Sequence, residues 1–484
     1  MLSSGSLSDH IVSAPSAVPR WVRLADGVSV FLVGVFLLAL FGGGWRIDLG
    51  PVHVSLRSAV RLGSWAAVLI VARHVAFVHP ALPSRVLAWW RGASWVAHVP
   101  LAARFFVATR IPPIVIGLLA VAAIGLGPEI RFKMPFDNPW LNLPARWDAG
   151  WYSDIAAIGY RWNYDPGVGQ NVVFFPAFPM TARVVSRVLH MSPLYACWLV
   201  ALAAFAWAMP LFVRLARVSL DEKTALASAW LLATYPFAVY FSAPYSESLF
   251  LLATTGAFLA AHEKRFIHAA AWGLLAGLTR PNGWLLALPL LLLTVPTYNG
   301  NPWKWLAALR IDMRCDRRAW LRRLLMIVAP VVGVLLYTWY LHLQFGDGFA
   351  WLRGQAAWGR SYRGLEVLIL DRVRYVLDYG LVWYVLDLPF DAMNFGAILF
   401  ALALVVPIAR RLGLAYGVLV AIIVLPPVLV GGTMSIGRMT SVLFPLFMWL
   451  AAVLTPEQRT AVIAAFAAGQ GLAATLFFTW RPLF

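Results

Sequence analysis

"PLYACWLVALAAFAWAMPLFV", residues 193–213, carries no charged side chain. At about 1.5 Å per residue, a helix of this length crosses the roughly 30 Å hydrocarbon core of a bilayer. The run is not alone. Comparable apolar stretches recur along the chain, which is 61% hydrophobic and only 12% charged. A soluble domain carries about twice that charge fraction. A transmembrane barrel would read as alternating segments of about ten residues, a pattern the sequence lacks. The sequence therefore describes an all-α polytopic membrane protein.

Working outward from 193–213, apolar spans are expected at 25–45, 58–79, 104–127, 224–241, 247–262, 266–280, 283–297, 324–342, 392–408, 412–430, 439–454 and 459–479. With the first, that makes about 13 transmembrane helices. The organisation that follows has four parts. Residues 1–24 form a flexible cytoplasmic tail, without the basic start and cleavage site of a signal peptide. Residues 25–103 hold two additional helices and a basic linker, 104–455 the main membrane domain, and 456–484 a C-terminal helix.

The formal net charge is +18. In a soluble chain that excess would point to nucleic acid; here it first marks cytoplasmic loops, so no nucleic-acid partner is expected. Basic clusters at Arg85/Arg91/Arg104, Arg214/Arg217/Lys223, Lys264/Arg265, Lys304 to Arg323 and Arg410/Arg411 all fall on one side if the spans alternate. The opposite side then receives 128–192 as a large first exterior loop, together with "FSAPYSES" (241–248), "TRPNG" (279–283) and "TMSIGRM" (433–439). Residues 343–383 also fall outside although they hold Arg353, Arg360, Arg363, Arg372 and Arg374, against the positive-inside rule. An anionic ligand is one reason for exterior arginines. The two cysteines, Cys197 and Cys315, do not read as a disulfide framework.

The exterior loop contains "RWDAGWY" (146–152), where Asp148 stands among Arg146, Trp147, Trp151 and Tyr152 beside the expected bilayer edge. A carboxylate so placed can take a proton from a hydroxyl. The plainer reading is an N-cap or an ion-paired loop residue within an aromatic belt. Pro176 and Pro179 fix the start of a surface helix that keeps Arg183, Arg187 and His190. In "YFSAPYSESLF" (240–250), Glu247 is an ionisable group at membrane level, and Ser246 either caps the following helix or meets a ligand. Arg280 precedes a Pro281-Asn282-Gly283 turn and needs an anionic partner, either Glu247, Asp148 or a phosphate. Arg438 poses the same choice. No metal-ligand spacing and no nucleotide-binding loop appears in the sequence, so no cofactor is required, with a divalent cation left as a possibility.

Taken in order, "RWDAGWY", "FFPAFP", "SAPYSESLF", "LTRPNG" and an arginine ahead of "FPLF" resemble the PIG-V-like mannosyltransferases, over roughly residues 104–455. Met439 follows Arg438 where that family carries an aromatic residue. The resemblance implies a GT-C glycosyltransferase fold whose first exterior loop, with its juxtamembrane helices, bears the catalytic acid. It implies a sugar donor on a polyprenyl monophosphate and a lipid or glycan acceptor in the membrane. By residue, it implies Asp148 as general base, Arg280 and Arg438 on the donor phosphate, and Arg146, Trp147, Trp151, Tyr152, Ser246, Glu247 and Asn282 around the substrate. Transfer would invert the anomeric carbon, moving mannose or a related hexose on the non-cytoplasmic face, which short loops and absent sorting signals place in a bacterial inner membrane. The competing reading is a lipid or sugar transporter or flippase, whose charged groups would lie along a central path between repeated halves.

Overall fold

The computed structural model describes residues 19–41, 46–49, 52–55, 59–77, 81–83, 85, 100–127, 134–294, 317–359 and 364–483. Most of the tail, Glu129, Cys315, Arg360 and Arg363 lie outside the described residues. The chain divides into two compact units, 1–99 and 100–484.

In the first unit, helices Arg20–Phe41 and Ala59–Ala76 pack together. A short hairpin, Arg46–Leu49 paired antiparallel with Val52–Ser55, joins them, which the apolar pattern did not announce. Asp26 is buried and accepts from Arg73 Nε at 2.7 Å and from Arg85 Nη1. The pair removes a charge cost that a lone carboxylate at this depth would carry.

Every regular element among the described residues of the second unit is a helix. Among the described residues five helices are long and apolar enough to cross a membrane: Leu101–Ile124, Pro193–Ala216, Arg317–Phe345, Pro389–Leu412 and Pro456–Phe478. The remaining spans expected in this unit correspond to shorter helices or to pairs, so the count of 13 crossings is larger than the long helices supply. Some helix starts are capped by a side chain. The hydroxyl of Ser192 accepts from the Tyr195 N–H, and Thr455 and Gln458 form a reciprocal capping box ahead of Pro456.

Helix Glu222–Thr234 and the 3-10 turn Pro236–Ser242 meet at a bend of 78°. Proline 236 causes the break. It lacks an N–H and forces Tyr235 into an extended conformation, φ −50°, ψ 139°. The carbonyls released there need donors in an apolar interior. Buried Arg110 donates to the Ala233 and Ala238 carbonyls and, at 3.1 Å, to Ser242 Oγ. Gln470 Nε2 donates to the Ala233 and Tyr235 carbonyls at 3.1 and 3.2 Å. The bend delivers "SAPYSES" to the start of helix Glu247–His262, which is buried from Glu247 to Ala261.

Between lipid-facing helices the hydrophobic effect offers little, so close backbone approach matters more. Helices Phe266–Thr279 and Arg317–Phe345 cross at Gly277 and Gly333. A Cβ on Gly277 would stand 2.0 Å from the Pro330 carbonyl oxygen, and one on Gly333 2.6 Å from that of Leu274. This crossing sets the helix whose C-terminus carries Arg280.

Candidate active site

Residues 134–192 fold as two helices, Ala149–Ile158 and Ala177–Val188, with 3-10 turns before each. Arg146 anchors the segment. Its Nε donates to the Phe478 carbonyl at 2.6 Å, its Nη1 to the Asn142 and Ala145 carbonyls, and Trp480 packs 5.9 Å from the guanidinium. Burial pulls this guanidinium down to about 10. Arg146 is thus committed to backbone, away from any open surface.

The next residue, Trp147, adopts φ +51°, a left-handed conformation that is uncommon for a bulky side chain. Asp148 occupies the N-cap position of Ala149–Ile158 but makes no side-chain cap bond. Its N–H donates to Tyr245 Oη at 2.9 Å, and its Oδ2 accepts from Arg438 Nη1 at 2.6 Å. The carboxylate remains 23% exposed, so a solvent-side ligand can reach it.

Arg438 continues the line. It sits on the short helix Ile436–Thr440, which follows Ser435 at φ +62°. Gly437 lets that helix press on the Phe237 ring, where a Cβ would come within 2.2 Å, and its N–H donates to Asn394 Oδ1 at 2.8 Å. Arg438 Nε lies 2.8 Å from Glu247 Oε1. The N–H has no hydrogen-bond acceptor in line among the described residues, so this is an ionic contact and not a hydrogen bond. The guanidinium packs on the rings of Tyr240 and Tyr245 at 5.7 and 5.4 Å. Burial opposes its charge, but the Glu247 and Asp148 carboxylates outweigh that and hold it protonated, well above the usual range.

Glu247 is wholly buried at the first position of its helix. Its Oε1 also accepts from Arg280 Nη1 at 2.7 Å. Its Oε2 has no hydrogen-bond partner among the described residues. Arg280 ends helix Phe266–Thr279 in extended conformation, and its carbonyl accepts from Gly283 N–H at 2.9 Å. The turn needs glycine there, because a Cβ on Gly283 would lie 2.2 Å from the Ala276 carbonyl oxygen. Asp148, Arg438, Glu247 and Arg280 therefore form one continuous line of alternating charge drawn from four separate elements.

The other candidates divide. Tyr152 Oη and Ser246 Oγ hydrogen-bond each other at 2.9 Å, and Ser246 makes no side-chain cap bond. Burial raises the Tyr152 phenol, so it stays neutral. Trp151 stacks on Phe174 at 6.0 Å and meets Trp358 edge-on at 5.8 Å. Trp147 packs on Trp480 at 4.8 Å. Asn282 Oδ1 is buried without a hydrogen-bond partner among the described residues. Of the arginines between 353 and 374, Arg353 pairs with Asp347 and Arg372 with Asp391. Two residues that the sequence did not single out complete the arrangement: Tyr245, which fixes the Asp148 backbone, and Trp358. Tyr245 lay inside a motif already marked, but a hydroxyl aimed at a backbone N–H 97 residues away leaves no local signal. Among the described residues no three His, Cys, Asp or Glu side chains gather where they could hold a metal ion.

The model of the Mannosyltransferase (PIG-V) family matches residues 136–347, a segment that contains Asp148, Glu247 and Arg280. The ordered motifs led to the same family. No curated protein matches the sequence. Among solved structures, the oligosaccharyltransferase of Archaeoglobus fulgidus in complex with Zn and sulfate is 13% identical, with a TM-score of 0.35 over 76% of this chain and 53% of that one. The same organism's oligosaccharyltransferase AglB, in complex with an inhibitory peptide and a dolichol-phosphate, is 11% identical, with a TM-score of 0.37 over 78% of this chain and 55% of that one. A form tethered to an acceptor peptide gives 13% and 0.39, over 81% and 56%. The chain spans about half the length of these structures, and at such scores the likeness does not bear on substrate or mechanism.

Proposed function

We propose that this integral membrane protein, matched by the mannosyltransferase (PIG-V) family model over residues 136–347, is an inverting glycosyltransferase of GT-C type. It would move mannose or a related hexose from a polyprenyl-phosphate donor to a hydroxyl of a membrane glycolipid or other envelope acceptor. The observation that carries this reading is the line Asp148–Arg438–Glu247–Arg280, which joins a partly exposed carboxylate to two guanidiniums.

The chemistry follows from charge. A polyprenyl-phosphate sugar is a phosphodiester with one negative charge. As the bond from the anomeric carbon to the phosphate oxygen breaks, the leaving polyprenyl phosphate acquires a second. On this reading that charge develops beside Arg280 and Arg438, whose guanidiniums Glu247 holds in place. Asp148 takes the proton of the acceptor hydroxyl while its oxygen attacks from the opposite face, so a single displacement inverts the centre. The proton then leaves to solvent through the exposed edge of Asp148. On this reading the positive charge comes from arginine and no cofactor is required, so transfer should persist in a strong chelator. The chain would work in a bacterial inner membrane, with the site facing the periplasm or exterior.

The test is an assay of purified protein with radiolabelled polyprenyl-phosphate mannose and membrane lipid extract. Asp148→Asn keeps the size of the side chain and an oxygen for Arg438, so it should fold and insert while losing transfer by about 10²–10⁴-fold. Turnover at the wild-type rate by that variant would remove the base.

A further inference from the structure

The last helix of the chain, Pro456–Phe478, ends against the segment that carries Asp148. Phe477, Phe478, Thr479, Trp480 and Leu483 are all buried. The Phe478 carbonyl accepts from Arg146 Nε at 2.6 Å. The Trp480 ring lies 4.8 Å from the Trp147 ring and 5.9 Å from the Arg146 guanidinium. The Phe477 ring meets those of Tyr240 and Tyr245 at 5.4 and 5.8 Å. The apolar pattern set residues 456–484 apart from the main membrane domain and announced none of these contacts.

Backbone conformation shows what these contacts hold. Trp147 and Trp480 stand at φ +51° and +60°, in the left-handed region that bulky side chains rarely adopt. A residue persists there only where its surroundings over-determine it. At Trp147 they do so from two directions. Tyr245 Oη donates to the Arg146 carbonyl at 3.4 Å and accepts from the Asp148 N–H at 2.9 Å, so one hydroxyl ties the residue before Trp147 to the residue after it. The Trp480 indole packs on the side chain between them. The φ of Trp147 sets the direction in which the chain enters Asp148, so whatever fixes that angle aims the carboxylate.

The same segment reaches the partner of that carboxylate. The Leu483 carbonyl accepts from Asn394 Nδ2 at 3.5 Å, and Asn394 Oδ1 accepts from the Gly437 N–H at 2.8 Å, one residue before Arg438. Gly117 makes room for the segment, because a Cβ there would stand 2.3 Å from the Phe478 ring. The C-terminal residues therefore bear on Asp148 through Trp147 and on Arg438 through Asn394.

We propose that the C-terminal segment Phe477–Leu483 is a positioning element for the base, and that Trp480 holds the left-handed turn at Trp147 and through it Asp148. The word base rests on the glycosyltransferase reading; the hold on the turn can be tested without any transfer. Hydrogen exchange followed by mass spectrometry on the detergent-purified full chain reads the Asp148, Ala149 and Gly150 amides, which donate to Tyr245 Oη and to the Arg146 and Trp147 carbonyls. In Trp480→Leu, which keeps an apolar side chain but no ring, these amides should exchange at least about fivefold faster, while helix Phe266–Thr279 exchanges as in wild type. Trp480→Phe keeps an aromatic ring and should fall between the two; it carries the comparison alone if the leucine variant does not fold. In the transfer assay, Trp480→Leu should lower kcat about tenfold to a hundredfold and leave the donor and acceptor KM within about twofold of wild type. Trp480→Phe should restore most of that rate. Tyr245→Phe removes one hydroxyl from the same turn and should show the same split between kcat and KM. Exchange at 148–150 equal to wild type in both Trp480 variants, equal acceleration in helix Phe266–Thr279, a wild-type kcat in Trp480→Leu, or KM values that rise as kcat falls would each overturn the proposal. Faster exchange at 148–150 in a protein that transfers no sugar, or whose Asp148→Asn variant turns over at the wild-type rate, refutes only the transferase reading and leaves the hold on the turn standing.

Discussion

Glu247 shares one carboxylate oxygen between two guanidiniums, while its other oxygen meets no hydrogen-bond donor among the described residues. Such a residue is expensive to alter on one side only. Glu247→Gln leaves Arg280 and Arg438 facing each other with Asp148 as the one ion-paired carboxylate beside them among the described residues, and breaking a buried pair from one side costs about 3–5 kcal/mol. Arg280→Gln leaves Glu247 with Arg438 and should cost less. The double variant removes one charge of each sign, so its loss should fall well short of the sum. Thermal unfolding in detergent measures all three, and strict additivity would show that the contact carries no coupling. Activity separates the roles. If Arg280 meets the donor phosphate as proposed, Arg280→Gln should raise the donor KM and lower the rate, while acceptor use changes little. An unchanged donor KM and rate would count against that placement.

At the scale of elements, the bend at Pro236 is what brings Tyr240, Tyr245 and Glu247 to Asp148, and its upkeep falls on two distant side chains. Arg110 and Gln470 satisfy carbonyls that a continuous helix would have used internally. Arg110→Leu takes the guanidinium donor from the Ala238 carbonyl and Ser242 Oγ and leaves Ala233 to Gln470 alone, in a dry interior where each unsatisfied acceptor costs roughly 1–3 kcal/mol. It should unfold the protein or lower its melting temperature far more than Gln470→Leu does. A melting temperature within a degree or so of wild type for Arg110→Leu would mean that water or lipid headgroups serve those carbonyls instead. A second element-level test uses the crossing at Gly277. With a Pro330 carbonyl oxygen 2.0 Å from any Cβ, Gly277→Ala must spread the two helices and carry Arg280 with them. Stability and donor KM should both suffer, whereas Gly150→Ala, where a Cβ meets nothing within 4 Å, should leave both near wild type.

Across the whole molecule, what could be read in advance was what local sequence controls. Apolar length placed the helices, and helix Glu247–His262 matches the expected span at both ends because "SES" and "HEK" are sharp polar boundaries. Asp148, Glu247, Arg280 and Arg438 were candidates because an ionisable group at membrane level requires a partner. Which partner each takes was not legible: Arg280 could have met Asp148 or Glu247, and only the Pro236 bend and the Gly277 crossing decide for Glu247. Arg146 looked like a substrate ligand, yet its hydrogen bonds go to carbonyls as far away as 478, a tertiary fact with no local trace. The grouping of Arg372 and Asp391 with Thr433 was equally hidden, since Thr433 lies some sixty residues from Arg372. One global property remains a direct consequence of the basic clusters, namely the side on which the charged line opens. If Arg214, Arg217 and Lys223 are cytoplasmic, the 128–192 segment is not, and the site opens away from the cytosol. Cysteines introduced at exposed Asp165 and exposed Lys223, in a background with both native cysteines replaced, should react from opposite sides of intact vesicles with an impermeant maleimide. In right-side-out vesicles only position 165 should label, and position 223 only after permeabilisation. Labelling of both from one side would break the alternation of spans between them, and labelling of 223 alone would invert the protein and put the glycosyl donor on the cytoplasmic leaflet.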